Sequence, residues 1–321
     1  MKNITIKQLR AFSAVAQARS FTRAASRLNL SQSALTIAIQ QLEAEAGVKL
    51  FDRTTRSVHL TDAGAQFLPV ADGLLAQLSR SLDDLSAVAG RERGRVVAAA
   101  SASFLQGVLA PSAARMRARF PGIDVKLLNM PDNLARRVLE EEIDFGITNV
   151  SALPHGLESF PLLEDLFVLL CPADHPLAGA AGPLDWDALA GHAFVTMPVG
   201  TQMREIMDAH PDVSRIVGAP ACETSSIFAL GALIRARLGI AAVPAEGARA
   251  ILSDDLVQRP LRGPELRRGL SLVKRRNRSL SPAARELVRE MTDLVFTSDI
   301  AGDRGLVELL ADRESFLGNF V

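Results

Sequence analysis

The sequence predicts an α/β protein in two parts, a small N-terminal helical domain with a two-stranded wing and a larger domain of alternating strands and helices, joined by one long helix. Three observations predict it. Short amphipathic helices fill the N-terminal segment, a heptad pattern follows it, and strand-like apolar runs alternate with helices beyond residue 94. The length of 321 residues suits two domains, since one domain typically has roughly 150 residues.

Residues 1–61 are predicted to form three short helices and a wing. The first helix follows from apolar residues at steps of three or four, Ile6, Leu9, Phe12 and Ala16. A second helix is predicted over 21–28. Ser31 is a favourable N-cap because its hydroxyl accepts a hydrogen bond from a free N–H of the next turn. A third helix is therefore predicted over 32–46, ending at Gly47. Two helices joined by a tight turn form a helix-turn-helix.

A wing and a long helix are predicted next. Within 49–60, two short β-prone runs flank a polar, basic turn. The segment 62–90 is predicted to be a linker whose helix covers 62–88 and pairs with a second copy. Its heptad positions are Phe67, Ala71, Leu74, Leu78, Ser81, Leu85 and Val88. The alternative is an amphipathic helix packed on its own domain, and Pro69 and Gly73 weaken its first turns.

Charge is concentrated at the N-terminal end of a chain that is neutral as a whole. Residues 1–61 hold nine basic and three acidic residues, a net charge of +6. The basic residues are Lys2, Lys7, Arg10, Arg19, Arg23, Arg27, Lys49, Arg53 and Arg56. A basic end on a neutral protein indicates a polyanionic partner at that end.

Residues 91–298 are predicted to form the second domain, after a glycine-flanked linker at 90–94. Alternating strands and helices are typical of a parallel sheet covered by helices. The predicted strands are 96–100, 123–128, 145–148, 167–171, 193–196, 217–223, 239–243 and 270–274. The predicted helices are 104–120, 133–142, 201–210, 225–237 and 282–296. A C-terminal extension, 299–321, is predicted to carry one more amphipathic helix through Leu306, Leu309, Leu310 and Phe316.

Several classes of protein are disfavoured by what the sequence lacks. Cys171 and Cys222 are the only cysteines, too few for a disulfide framework or a zinc site, and both are expected to be buried. A cytoplasmic protein is expected because there is no signal peptide and no run of about 18 apolar residues. Phosphate-binding and nucleophile motifs are absent and the histidines lack metal-ligand spacing, so no enzyme, cofactor or metal is expected.

Several motifs of the N-terminal domain resemble the LysR-type transcriptional regulators. They are Ser20-Phe21-Thr22-Arg23-Ala24-Ala25, Leu28, Leu30-Ser31-Gln32-Ser33-Ala34-Leu35, Gln40-Gln41-Leu42-Glu43, Gly47-Val48-Lys49-Leu50-Phe51-Asp52-Arg53 and Leu60-Thr61-Asp62-Ala63-Gly64. Residues 174–178 look like a short signature of the same family in the second domain. The likeness covers roughly residues 4–297, and it departs from the family's usual Pro and Ser at Ala34 and Thr36. The resemblance implies a DNA-binding regulator that senses a small molecule.

The third helix is the predicted reader of the DNA major groove. Polar side chains near its start are suited to base edges, and the candidates are Ser31, Gln32, Ser33, Thr36 and Gln40. Cations beside it are the predicted phosphate contacts, Arg23, Arg53 and Arg56. The alternative for Gln32, Ser33 and Thr36 is helix capping or plain solvation, because such residues are common in first turns.

The resemblance implies that the second domain is a two-lobed effector-binding domain like a periplasmic binding protein. Lobe I would comprise 94–162 and 269–297, and lobe II 163–268, with the ligand between them. The candidate effector contacts follow predicted strands, where ligands of open α/β sheets bind, and they are Ser101, Ser103, Phe104, Met130, Asn149, Thr201 and Thr224. Hydroxyls at helix starts also serve as caps, and Met130 also suits a core.

The expected partners are double-stranded DNA with an inverted-repeat operator, a small-molecule effector with a carboxylate, and further copies of the chain in a homodimer and homotetramer. RNA polymerase is a further candidate. Two rival classes fit the sequence less well. A periplasmic solute-binding protein would have a signal peptide and no basic helix-turn-helix head. An architectural DNA-binding protein would not need the α/β domain.

Overall fold

The computed structural model describes residues 4–53, 58–88, 94–130, 133–149, 153–297 and 305–320, with the backbone alone at 53, 76 and 79–88. The chain divides into two compact units, and the N-terminal unit comprises the residues up to Val88 together with 140–142. Its elements in chain order are α1 Ile6–Ala18, α2 Phe21–Arg27, α3 Gln32–Ala46, β1 Phe51–Arg53, β2 Val58–Leu60 and α4 Asp62–Val88. The predicted helix-turn-helix, wing and long helix are all confirmed at this level.

Local capping explains the order of the N-terminal helices. Thr5 and Gln8 form a capping box at the start of α1, and Ser20 and Ser31 cap α2 and α3. The turn between α2 and α3 places Asn29 at φ 54°, in the left-handed region that Asn tolerates. At the other end, α3 stops at Gly47 with φ 77°.

An aromatic cluster joins the helices to the wing and to the start of α4. The ring of Phe12 lies 5.4 Å from Phe51 and 5.4 Å from Phe67, centroid to centroid. Ala71, one turn further along α4, is fully buried in the same core. Two residues of the predicted heptad seam therefore pack on their own domain, while Val70 and Leu74 remain about half exposed.

The second unit is built from strands and helices on a long central strand. Its strands are β3 Gly94–Ala100, β4 Ile123–Asn129, β5 Phe145–Thr148, β6 Leu157–Pro172, β7 Leu184–Asp185, β8 Val195–Thr196, β9 Cys222–Glu223, β10 Ala241–Pro244, β11 Leu256–Arg262, β12 Arg267–Arg275 and β13 Val307–Leu309. Its helices are α5 Ala102–Phe104, α6 Ala110–Arg119, α7 Leu134–Leu139, α8 Gln202–Asp208, α9 Pro211–Val217, α10 Ile227–Arg235, α11 Ala245–Ile251, α12 Pro282–Thr297 and α13 Arg313–Gly318. A π-helical turn, Leu105–Leu109, joins α5 to α6, and a 3-10 helix spans Trp186–Leu189.

The main sheet is mixed, with strand order β4-β3-β5-β12-β6-β11-β7. Strands β3, β4 and β5 are parallel, as predicted, but β12 is antiparallel to β5 and to β6. The C-terminal half of β6 pairs antiparallel with β10 and β11. A separate pair, β8 and β9, runs parallel.

Buried residues form separate cores in the two lobes of this unit. One core gathers buried residues from 167 to 266 and defines lobe II. The others gather residues from 96 to 163 and from 270 to 320 and define lobe I. Strands β6 and β12 therefore pass from one lobe to the other, and the predicted lobe boundaries fall inside them.

Further parts of the second unit differ from the sequence-based expectation. Strand β6 begins at Leu157, ten residues before the predicted strand, since its N-terminal half pairs with β12. The predicted strand 217–223 is shortened to β9, Cys222–Glu223, and its first residue, Val217, ends helix α9, which has Pro211 in its first turn. Cys171 is buried as expected, whereas Cys222 is half-buried.

The C-terminal extension forms a strand and a helix rather than the single helix predicted. Strand β13 adds to the free edge of β6, with Val307 opposite Asp165 and Leu309 opposite Leu163. Helix α13 then packs on α12, and Phe316 enters the lobe I core. Among the described residues, no helix has both the length and the apolar character needed to cross a membrane.

Candidate DNA interface and effector cleft

One face of α3 is buried and the opposite face carries exposed polar residues. Leu35, Ile39 and Leu42 are fully buried in the N-terminal core. The exposed residues at the start of the helix and along its outer face are Ser31, Gln32, Ser33 and Gln40, with Thr36 half-buried. The structure thus brings the predicted base-reading residues to one side of a firmly anchored helix.

Hydrogen bonds within the helix-turn-helix limit what two of these residues can offer to DNA. The Thr36 hydroxyl donates to the Gln32 carbonyl over 2.9 Å, so it keeps acceptor capacity and a methyl group for a base. The Thr22 hydroxyl donates to Oε1 of Gln32 over 3.2 Å, a bond that does not use the Nε2 donors of Gln32.

Two other candidates have mixed roles. Ser31 caps α3, since its hydroxyl oxygen accepts from the Ala34 N–H over 3.1 Å, and it also lies 3.0 Å from the Ser33 hydroxyl. The capping alternative thus applies to Ser31, and Ser33 remains exposed beside it.

Ile37 is a surface residue that the sequence reasoning did not select. It is 52% exposed on α3 between Ser33 and Gln40. A large apolar side chain on the outer face of such a helix suits the methyl group of thymine. The available signal was its position, one residue away from the buried helical stripe.

The predicted phosphate contacts are only partly described. Arg23 is exposed at the start of α2, and its guanidinium donates to the Ala18 carbonyl over 2.7 Å. Arg53 lies at the end of β1, where the backbone alone is described. Arg56 lies outside the described residues.

Glu43 connects α3 to the wing. Its buried carboxylate accepts from the backbone N–H groups of Leu50 and Phe51 over 2.9 and 3.2 Å and pairs with Lys49 at 3.0 Å. Burial alone would raise the pKa of Glu43, but the hydrogen bonds from Leu50, Lys49 and Phe51 outweigh it and lower the pKa. The wing is thereby fixed relative to α3.

In lobe I, three candidate effector contacts lie at the same edge of the sheet. Ser101, Met130 and Asn149 follow the carboxyl ends of the adjacent strands β3, β4 and β5. The Met130 N–H donates to the Ala100 carbonyl over 2.7 Å, and all three candidates are half-buried. The strand order therefore brings together residues far apart in sequence.

In lobe II, Thr201 and Thr224 follow the parallel strands β8 and β9. The Thr224 N–H donates to the Thr196 carbonyl over 3.0 Å, which joins the two loops. The Thr201 hydroxyl donates to the Pro198 carbonyl over 2.7 Å, and the Thr224 hydroxyl oxygen accepts from the Ser226 N–H over 3.4 Å. Nearby, the fully buried Thr196 hydroxyl has no hydrogen-bond partner among the described residues.

Phe104 and Ser103 are placed differently from the sequence-based expectation. The Phe104 ring is fully buried in the lobe I core, so it packs the helix against the sheet and presents no surface to an effector. Ser103 is 3% exposed, and its hydroxyl donates to Oε2 of Glu246 in lobe II over 2.6 Å. Both residues thus position the loop that carries Ser101.

A buried ionic cluster lies where the lobes meet. Arg268 on β12 donates to both carboxylate oxygens of Asp165 on β6, over 3.0 and 2.7 Å, and to Oε2 of Glu246 over 3.1 Å. The Glu246 N–H donates to Asp165 over 3.0 Å. Burial raises the pKa of Glu246, against the opposing effects of Arg268 and Ser103. Sequence reasoning missed this cluster, because its members lie far apart in the chain and no local pattern joins them.

Comparison with known proteins identifies the family. The model of the bacterial regulatory helix-turn-helix protein, lysR family, matches residues 6–65, and that of the LysR substrate binding domain matches residues 89–295. The chain belongs to the LysR family of transcriptional regulators. It is 33% identical over 313 residues to the HTH-type transcriptional regulator YfeR of Shigella flexneri, covering 97% of both chains.

Solved structures agree with this assignment. Full-length CbnR complexed with its target DNA is 25% identical, with a TM-score of 0.69 over 89% of this chain and 98% of that one. A full-length OxyR variant from Pseudomonas aeruginosa, 21% identical, has the same fold, with a TM-score of 0.66 over 91% and 95% of the two chains.

As a LysR-type regulator, the protein has double-stranded DNA and a small-molecule effector as its partners, and regulators of this family oligomerise. The helix-turn-helix match spans α1 to α3 and the wing, and the substrate-domain match spans β3 to most of α12. Residues 305–320, which form β13 and α13, lie outside both matches.

Proposed function

We propose that this regulator reads an inverted-repeat operator through α3 and responds to a small carboxylate bound between the lobes of its second domain. The observation that supports DNA reading most directly is the exposed polar face of α3 on a helix whose other face is fully buried. The net charge of +6 on residues 1–61 supplies sequence-independent attraction to the phosphates.

Base readout is assigned to Gln32, Ser33, Thr36, Ile37 and Gln40. Gln32 contributes amide donors, Thr36 an acceptor and a methyl group, and Ile37 an apolar contact. Arg23, Arg53 and Arg56 contact phosphates and set the register without reading sequence.

Two copies are needed for an inverted repeat, because operator symmetry reflects protein symmetry. The exposed Val70 and Leu74, four residues apart on α4, lie on one helix face and support a seam with a second copy. We assign the tetramer to further pairing through the second domains. Effector binding then shifts the balance between two tetramer arrangements by its differential affinity for them, and altered DNA contact changes the recruitment of RNA polymerase.

The carboxylate is assigned to the hydroxyl-bearing loops after β8 and β9, which carry Thr201 and Thr224. Ser101, Met130 and Asn149, at the carboxyl ends of β3, β4 and β5, are assigned to the rest of the effector. Such strand ends are the usual ligand-binding edge of open α/β sheets.

Selection from a randomised duplex library tests the DNA assignment. Gln32→Ala and Thr36→Ala should change the preferred bases and weaken specific binding, since one good base contact gives about 1–3 kcal/mol of discrimination. Gln41→Ala is the matched control, because this glutamine on the same helix accepts a hydrogen bond from Gln8 at 3.4 Å. Unchanged base preference in both test variants would refute the assignment of α3 as the reader.

A further inference from the structure

A chain of hydrogen bonds runs from the effector side of lobe I to the ionic cluster between the lobes. The Ser101 and Ser103 hydroxyl oxygens lie 3.3 Å apart, and Ser103 lies 2.6 Å from Oε2 of Glu246. The same Oε2 accepts from Arg268 over 3.1 Å. Ser101 is half-buried, whereas Ser103, Glu246 and Arg268 are each less than a tenth exposed.

The chemistry of these groups fixes the direction of each bond. Arg268 can only donate, so Oε2 of Glu246 must be an acceptor, and a proton on this carboxyl group would have to sit on Oε1. Ser103 therefore uses its single hydroxyl hydrogen to donate a hydrogen bond to Glu246. In the hydrogen bond between the two serines, Ser101 must then be the donor and Ser103 the acceptor, because the only hydrogen of the Ser103 hydroxyl is already used.

This direction determines what Ser101 can offer to a ligand. Its proton points inward to Ser103, and one lone pair accepts from the Phe104 N–H over 3.4 Å. The remaining lone pair is an acceptor. A carboxylate, which only accepts, would have to break the bond between the serines, whereas an ammonium or other N–H group satisfies Ser101 directly.

We propose that Glu246 is a specificity determinant of the effector site, which acts through Ser103 to hold Ser101 as a hydrogen-bond acceptor and so selects an effector bearing an amino group at this position. The inference rests on the proposed function, because it assumes that the effector binds at the Ser101 edge. The carboxylate of the same effector then belongs to the loops of Thr201 and Thr224 in lobe II, and the expected ligand is an amino acid or a related amino-bearing acid.

The close contact between lobe I and lobe II around Glu246 supports the role of Glu246 in the effector site. The π-helical turn Leu105–Leu109 directly follows the helix that carries Ser103, and a Cβ added to Gly107 would lie 3.6 Å from Oε1 of Glu246. Gln106 in the same turn donates to the Ala250 carbonyl of α11 over 3.3 Å. The turn brings lobe I close to Glu246, and π-helical turns are frequent at functional sites.

Thermal unfolding of the full-length protein with matched ligands tests the proposal. The pairs are alanine and propionate, leucine and 4-methylpentanoate, and phenylalanine and 3-phenylpropionate, with propylamine as an amine without a carboxylate. A ligand that binds the folded state raises the midpoint according to its affinity. Wild type should bind the amino member of a pair at least about tenfold more tightly than its partner, as expected for a hydrogen bond to a charged group.

Three variants separate the proton direction from general packing. Ser103→Ala frees the Ser101 proton, so the preference for the amino member should fall by about tenfold. Ser101→Ala removes the acceptor and should abolish the preference. Ser112→Ala is the matched control, because this buried serine of lobe I donates to the Val108 carbonyl over 2.7 Å and lies outside the chain of hydrogen bonds, so it should retain the preference.

The outcomes distinguish this proposal from the proposed function. Equal or better binding of the acids without an amino group, unaltered by Ser103→Ala, overturns the role of Glu246 and leaves a carboxylate effector in place. If propylamine binds in a way that depends on Ser103 and no carboxylate-bearing member of the panel binds, the role of Glu246 is supported and the assignment of a carboxylate effector is overturned. Absence of binding by every member of the panel to protein that still binds DNA overturns both.

Discussion

At the scale of single residues, Glu43 shows how one buried carboxylate orients the DNA-reading surface. Glu43→Gln should destabilise the N-terminal domain by about 1–3 kcal/mol, because the amide oxygen replaces only part of a carboxylate with three donors. Chemical denaturation measures this loss. Asp52→Asn, at an exposed carboxylate of the wing, should change stability by less than about 0.5 kcal/mol.

The effect of Glu43 should depend on pH in a defined direction. The folded state lowers the pKa of Glu43 from its usual 4.5, so its stabilisation is complete above pH 4.5 and is lost as the pH falls through the lowered value. The difference in stability between wild type and Glu43→Gln should therefore narrow in acid. A difference that is constant with pH would contradict this account.

His175 provides a pH dependence in the second domain. Its Nδ1 accepts from the Leu177 N–H over 3.2 Å, and its ring centroid lies 4.9 Å from that of His192. Burial lowers the pKa of His175 from 6.5, and the charge of His192 lowers it further, against an opposing effect of Asp174. Stability from this group is therefore complete above pH 6.5 and is lost as the pH falls through the lowered value.

His175→Asn keeps a hydrogen-bond acceptor and removes the titration. The unfolding midpoint of this variant should fall less between about pH 7 and about pH 5 than that of wild type. Parallel curves for wild type and His175→Asn would assign the acid sensitivity to other groups.

At the scale of elements, the C-terminal strand and helix stabilise lobe I. Strand β13 covers an edge of β6 through bonds of 2.8 Å between Leu166 and Leu306 and 3.0 Å between Leu310 and Leu162. Phe316→Ala should cost about 3–5 kcal/mol, since the ring is 1% exposed in the lobe I core. Leu310→Ala, at a position 41% exposed, is the control. Denaturant unfolding measures both losses, and an equal loss of stability in the two variants would show that α13 is only loosely docked.

Elements were predictable where local signals set them. Ser31 and Gly47 mark the ends of α3 correctly, because a capping serine and a glycine in the left-handed region each lie next to the helix end that they set. The N-terminal half of β6 escaped prediction because its pairing with β12 joins residues about a hundred positions apart. For the same reason, the meeting of Glu246 with Ser103 and Arg268 could be found only in the folded chain.

At the scale of the whole molecule, the N-terminal unit and the lobes of the second unit have separate cores. We expect two thermal transitions. Operator DNA should chiefly raise the transition of the N-terminal unit and a bound effector chiefly that of the second unit, because each ligand stabilises the unit that binds it by RT ln(1 + [L]/Kd). Differential scanning calorimetry measures both. One transition that shifts as a whole with either ligand would show that the units unfold together.

The return of the chain to lobe I through β12 and α12 has a consequence for synthesis on the ribosome. Domains fold as units, and those at the N-terminus emerge first. Helices α1 to α4 and the wing strands of the DNA-reading head are all made once Val88 has emerged, but lobe I lacks β12, the strand between β5 and β6, until Arg275 is made. A nascent or truncated chain can therefore hold a finished DNA-binding head with no working sensor, so early termination should yield fragments that occupy DNA without responding to an effector.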